Sequence, residues 1–567
     1  MKSNVLCAKF LLLATLPVLG LLTPKQAIAI SVPEVQARLL SDIAFQYAKL
    51  GDSRQAVAIS EQALEATAET EPCFKADTLA RVAGSYWLIG QEAEGQRRVT
   101  EAIETAEAQA ATGCSSSTSS PTESLMYRAR EFADEGQFEL AIALASGMGD
   151  PLALSEIAAD LLNVGQFQRA DQLLEEAIAQ AQKIDDAYYQ TYTLNSMGMN
   201  LTLAGHPEPA KAVLEQAILS AAALDTEDPE RDSLQGSALL WTARQFTELG
   251  ANDRAIALLD QTVPKIRNRS TEPLSLDKVF QLVDAALLYQ QVGLDDKAVA
   301  TLAEAYQVGN AIVPDANHSQ ADADALGRVA VGYAKIGDFE RAMQIVEEVQ
   351  PASYRQGALG DIAIAYAAAG NLEAAVELAQ SNPNRDGAMI GIVRHYLQEK
   401  QPDQAWQVVQ AQQVKGILSE VAVGYLDVEQ PEQALQLAQT GKLEGFTPGI
   451  VQSYAASGQP EQAMERAQSE EFLWLLPAVV QGFAQQGQFD AALQTAQSIA
   501  DPVDRAQAFL TIALAYTEPQ AEAQGIRRFV TRTQDRIVGL FGTSDRERAD
   551  EVLVQALQAT QSISSVE

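Results

Sequence analysis

The stretch Ile43-Ala44-Phe45-Gln46-Tyr47-Ala48-Lys49-Leu50-Gly51 decides the fold, because its pattern recurs along the chain. Aligned on the glycine, further copies sit at Gly90, Gly136, Gly165, Gly205, Gly250, Gly293, Gly337, Gly370, Gly458 and Gly487, with Lys400, Glu429 and Gln520 in the same place in three more. Four residues before each anchor stands Tyr47, Tyr86, Phe132, Leu161, Leu201, Phe246, Tyr289, Tyr333, Tyr366, Tyr396, Tyr425, Tyr454, Phe483 or Tyr516. Nine of the 15 tyrosines occupy that slot, which chance does not produce. Seven before the anchor the residue is small or β-branched, from Ala44 to Ala513. Five after it comes Ala, from Ala56 to Ala492, with Gly95 the exception; the last copy has Gly525.

Positions seven and four before the glycine are three apart and share one helical face. A glycine in the left-handed conformation ends that helix, and polar residues after it (Asp52-Ser53, Gln166, Asp338, Asn371) open a second. The small residues let two backbones approach while the aromatic fills the space beside them. A lone hairpin cannot bury such a face, whereas stacked hairpins can.

This small–aromatic–glycine–alanine series resembles the tetratricopeptide repeat (TPR) family over almost the whole chain after residue 29. The resemblance implies an all-α fold, a right-handed superhelical solenoid of about 14 hairpins with a helical cap at the C-terminus. It also implies a groove lined by the first helix of each repeat. The anchor spacings (39, 46, 29, 40, 45, 43, 44, 33, 30, 29, 29 and 29) depart from the usual repeat of about 34 residues. The family's pitch therefore does not carry over.

With 567 residues, 47% hydrophobic and 20% charged, the chain has material for several cores. Its net charge of −35 argues against nucleic acid, whose phosphates are neutralised by Lys and Arg, and against anionic lipid. Met1–Ala29 reads as an export signal: Lys2 and Lys9, an apolar Phe10–Leu22, and Ala27-Ile28-Ala29 for the peptidase. The alternative is an uncleaved anchor, although the apolar run falls short of the roughly 20 residues that span a bilayer. Cleavage would remove Lys2, Lys9 and Lys25 and take the charge from −35 to −38. The expected location is a periplasm or equivalent lumen, or the exterior. There Cys73 and Cys114, which bracket the hairpin 75–110, could form a disulfide contributing roughly 3–4 kcal/mol; the alternative is two free thiols.

Five segments follow: a signal over 1–29, N-terminal hairpins over 30–112, a Ser-rich linker over 113–122, a main solenoid over 123–523 and a cap over 524–567. Six arginines (Arg527, Arg528, Arg532, Arg536, Arg546 and Arg548) give the cap a second reading as a basic contact patch.

No Gly-rich phosphate loop, His-Glu-x-x-His motif or nucleophile elbow appears. His206, His318 and His395 lie in separate segments, and Asp315, Asp322 and Asp324 lack the closing Glu of a calcium loop. No cofactor, metal site or catalytic residue is expected. Slots ten, six and three before the anchors are expected to face the groove: Met126 and Arg130; Asn195, Met199 and Thr202; Leu240 and Arg244; Val283, Leu287 and Gln290; and Arg394. Their mixture of amide, methionine and arginine suits an extended peptide, while plain helix packing is the other reading of each. The expectation is an exported, non-enzymatic scaffold that binds protein or peptide. The alternatives are a polysaccharide-acting enzyme on a helical-hairpin toroid and a self-associating structural protein.

Overall fold

The computed structural model describes residues 32–70, 72–110, 121–224, 229–269, 275–312, 320–428, 430–441, 447–468, 470–517 and 543–563. Among these the chain is all-α, with 28 α-helices, two short 3-10 turns and no strand. The signal segment, Cys114 and most of the Ser-rich tract lie outside the described residues, and so does the side chain of Cys73.

The repeat motif forms the turn it encodes. Gly51 takes φ +76°, and the Asp52 amide donates to the carbonyl of Tyr47 at 2.9 Å, which satisfies the helix end. The Asp52 carboxylate then accepts from the Gln55 amide at 3.0 Å and caps the second helix. The same backbone bond recurs from Asp338 to Tyr333 and from Gln401 to Tyr396. There Lys400 holds φ +56° in place of glycine, a strain of roughly 1 kcal/mol.

The side chains at the three motif offsets are buried. The alanines five after the anchor (Ala56, Ala141, Ala255, Ala405 and the rest) have no exposed surface, and the aromatic slot is buried from Tyr47 to Tyr516, with Tyr366 half-buried.

The chain divides into two compact units. Unit 2, residues 178–453, contains seven hairpins. They are α9 (Ala187–Leu203) with α10 (Pro207–Ala222), α11 (Pro229–Glu248) with α12 (Asn252–Asn268), α13 (Ser275–Gln291) with α14 (Asp295–Asn310), and α15 (Ala321–Lys335) with α16 (Phe339–Val346). They continue as α17 (Ala352–Ala368) with α18 (Leu372–Ser381), α19 (Arg385–Gln398) with α20 (Pro402–Gln412), and α21 (Leu418–Asp427) with α22 (Pro431–Gly441). Each first helix from α9 to α19 packs on the first helix of the next hairpin as well as on its own partner. One apolar cluster runs from Leu214 to Ala365 and a second from Ala363 to Leu437.

Unit 1 joins residues 1–177 to residues 454–567. It holds α1 (Val32–Lys49), α2 (Ser53–Ala66), α3 (Pro72–Leu88), α4 (Glu92–Ala110), α5 (Pro121–Asp134), α6 (Phe138–Met148) and α7 (Pro151–Asn163). From the other end come α24 (Pro460–Ala467), α25 (Leu476–Gln485), α26 (Phe489–Ser498), α27 (Pro502–Thr517) and α28 (Thr543–Gln561). The division falls inside α8 (Phe167–Ala181) and α23 (Thr447–Ala456). Within unit 1, α28 completes a hairpin with α27 and also packs on α1, burying Ala549, Val552, Leu553 and Ala556. Across the Ser-rich tract, α5 packs on α3.

Candidate binding surface

At 3.6 residues per turn, a residue ten before the anchor lies only about 90° from the centre of the packed face. That places it against the neighbouring first helix and not toward solvent. Asn195, Leu240 and Val283 are accordingly buried in unit 2, which corrects the expectation that they face an open groove. The Asn195 Oδ1 accepts from Thr242 Oγ1 at 3.0 Å and Gln245 Nε2 at 3.2 Å, so its amide ties α9 to α11. Thr202, Leu287 and Gln290 are half-buried, and Thr202 Oγ1 donates to the Gly198 carbonyl at 2.8 Å. Met199, Arg244 and Arg394 are exposed. In unit 1, Met126 and Arg130 are half-buried.

The row that does face outward on the first helices lies two, six, nine and thirteen residues before the anchor, opposite the packed face. Between some successive first helices it carries ion pairs. In unit 2 the Arg328 guanidinium on α15 donates to Asp284 on α13 at 2.8 Å. Arg394 on α19 grips Glu420 on α21 with two bonds of 2.8 and 2.7 Å, and the Arg394 hydrogen bond holds that carboxyl below its ordinary value.

Unit 1 carries a more buried version. Arg128 on α5 binds Asp77 on α3 through both carboxylate oxygens at 2.9 Å, and Arg81 on α3 lies 3.0 Å from Asp42 on α1. Both arginines also reach Glu131. Burial opposes ionisation of that carboxyl, but the two guanidiniums prevail and hold it down to about 2. Arg130 donates to Glu156 on α7 at 2.9 Å.

On α9 in unit 2 the row is mainly apolar. On α9 the outward row reads Tyr189, Tyr192, Ser196, Met199 and Leu203, and the four apolar members are 63%, 52%, 38% and 75% exposed. Trp241 on α11 leans on Tyr192 with ring centroids 5.1 Å apart. Tyr188 meets Tyr189 edge-on at 5.6 Å. Sequence reasoning missed Tyr189, Tyr192, Leu203 and Trp241; a helical projection centred on the motif offsets would have found them.

Among the described residues no group of three or more His, Cys, Asp or Glu is placed to hold a metal ion, and no helix is long and apolar enough to cross a membrane.

No family model and no curated protein matches the chain. Solved structures do. The chain is similar to Ton1535 from Thermococcus onnurineus NA1, with 16% identity, 62% of this chain and 98% of that one covered, and a TM-score of 0.28. It is similar to the human IFIT1 dimer with m7Gppp-AAAA (13%, 77% and 93%, TM-score 0.23) and to Naa15/Naa10 bound to HypK-THB (13%, 93% and 94%, TM-score 0.22). The chain has a TPR-like fold of helical hairpins, a conclusion its own helices and buried motif carry.

Proposed function

We propose that the protein is an exported, non-enzymatic scaffold that binds protein partners on the outward rows of its first helices. The observation that carries this reading is the α9–α11 surface, where four large apolar side chains of one helix stand exposed in a row that carries ion pairs at α13–α15 and α19–α21. Apolar side chains clustered in the open mark interaction sites in soluble proteins. The net charge of −35 supports protein and not nucleic acid as partner. Export rests on the pattern of Met1–Ala29. A disulfide between Cys73 and Cys114 belongs to the same proposal, since such bonds persist outside the cytosol.

Photo-crosslinking in the native host tests the scaffold, with the reactive residue placed at the exposed Tyr127, Tyr354 or Val423. Reproducible capture of one defined protein is expected, and capture of none at all three positions overturns the reading. Mass spectrometry of the secreted or periplasmic fraction should find a chain starting near Ile30, with both cysteines resistant to alkylation until reduced. A retained Met1 overturns export.

A further inference from the structure

Within unit 2, Arg244 on α11 stands apart from the arginines around it. Arg394 occupies the same offset, six before its anchor, and is paired with Glu420 on the next first helix. The carboxylate in that relation to Arg244 is Asp284 on α13, and it is taken by Arg328 at 2.8 Å. Glu248, one helical turn along α11, makes no ion pair with Arg244. Asp186 is also committed: it caps α9 through the Tyr188 amide at 2.8 Å and lies 3.2 Å from Arg231. Arg244 is thus an exposed guanidinium with no ion pair among the described residues, on a chain of net charge −35.

It sits three residues beyond Trp241, close to one turn further along the outward row of α11, the helix whose Trp241 leans on the α9 stripe. The stripe positions 189, 192, 196, 199 and 203 follow 3-4-3-4 spacing, which forms a straight seam on one helix face. Over 14 residues that seam is about 21 Å long at 1.5 Å per residue. An extended peptide would need backbone partners, yet the amides that could serve, Asn195 and Gln245, are buried between α9 and α11 and bonded to each other. A seam of this spacing instead accepts the side chains of another helix.

We propose that the α9–α11 surface docks an amphipathic helix of a protein partner, whose apolar stripe lies along Tyr189, Tyr192, Met199 and Leu203 and whose flanking carboxylate binds Arg244. The assignment rests on the scaffold reading and adds the shape and charge of what is bound. Aromatic anchors beside one guanidinium are the composition that carries most of the energy in protein interfaces. The charge-assisted bond to Arg244 supplies the choice between partners.

The test uses the full chain and three fluorescein-labelled synthetic helices of 18 residues. Each carries leucines at 3-4 spacing, and they differ only in the flanking residue: Glu, Gln or Lys. Anisotropy titrations are expected to show the Glu helix binding about tenfold tighter than the Gln helix, the loss typical of one charged hydrogen bond. Tyr192→Ala should weaken both by about tenfold. Arg244→Glu should invert the order in favour of the Lys helix, and inversion cannot arise from misfolding. Equal binding of the Glu and Gln helices overturns the carboxylate assignment. Indifference of every helix to Tyr192→Ala, or no binding by any of them, overturns the docking surface. The crosslinking experiment uses none of these residues, so the scaffold reading stands or falls separately.

Discussion

Gly95 shows how closely the two helices of a hairpin approach. Every other clear copy has Ala at this offset, but here a Cβ would lie 2.9 Å from the Trp87 ring and 3.1 Å from the Ala83 carbonyl oxygen. The tryptophan uses the volume that a methyl fills elsewhere. Gly198 follows the same logic on the opposite helix, where a Cβ would meet Leu214 Cδ2 at 2.6 Å. Gly95→Ala should therefore destabilise by about 1–3 kcal/mol through overpacking, despite restoring the repeat consensus. Urea unfolding checks it, and Trp87→Leu in the same chain should recover part of the loss. An unchanged midpoint in Gly95→Ala would refute the crowding. The motif residues could be read from sequence because local geometry imposes their spacing. Gly95 could not be explained that way, since its reason is a side chain on the facing helix.

At the scale of helices, the pairs that join neighbouring first helices differ in what burial does to them. The Arg81–Arg128–Glu131 cluster ties α3 to α5 with charges that satisfy one another. Asp160 on α7 is the opposite case. Burial, then the charges of Asp134 on α5 and Glu156 one turn earlier, push its carboxyl up to about 7. The folded protein thus keeps a proton that the unfolded chain gives up near pH 4. Its contribution to stability is fully present below that value and is lost as pH rises toward 7. Asp160→Asn should match the parent near pH 4 and exceed it near pH 8 by on the order of 2 kcal/mol. Thermal melts at the two pH values decide this; an equal difference at both would show that proton linkage is not the cause. None of this was legible in a sequence with 75 acidic residues, because only the fold selects which of them lose water.

At the scale of the molecule, unit 1 is assembled from both ends of the chain. Pro33 on α1 and Gln561 on α28 line one cleft, and α28 covers apolar surface on α1 and α27 at once. Ending the chain after residue 542 should expose those faces, lower the melting temperature and promote self-association at micromolar concentration. Calorimetry with sedimentation velocity would show it, and an unchanged melt would mean that α28 adds nothing to the stack. The outward positions also became clear only at this scale. Asn195, Leu240 and Val283, ten before their anchors, were expected to face a groove, and they are buried because stacking one first helix on the next covers their flank.

The amino-acid sequence alone determined that this protein is a row of helical hairpins, because glycine, aromatic and alanine positions are dictated by turn geometry and close backbone approach within each hairpin. Tertiary structure decided which carboxylates ionise, which row meets solvent and that the chain's ends share a stack. Those outcomes depend on contacts between residues far apart in sequence, and a local pattern carries no record of its distant neighbours.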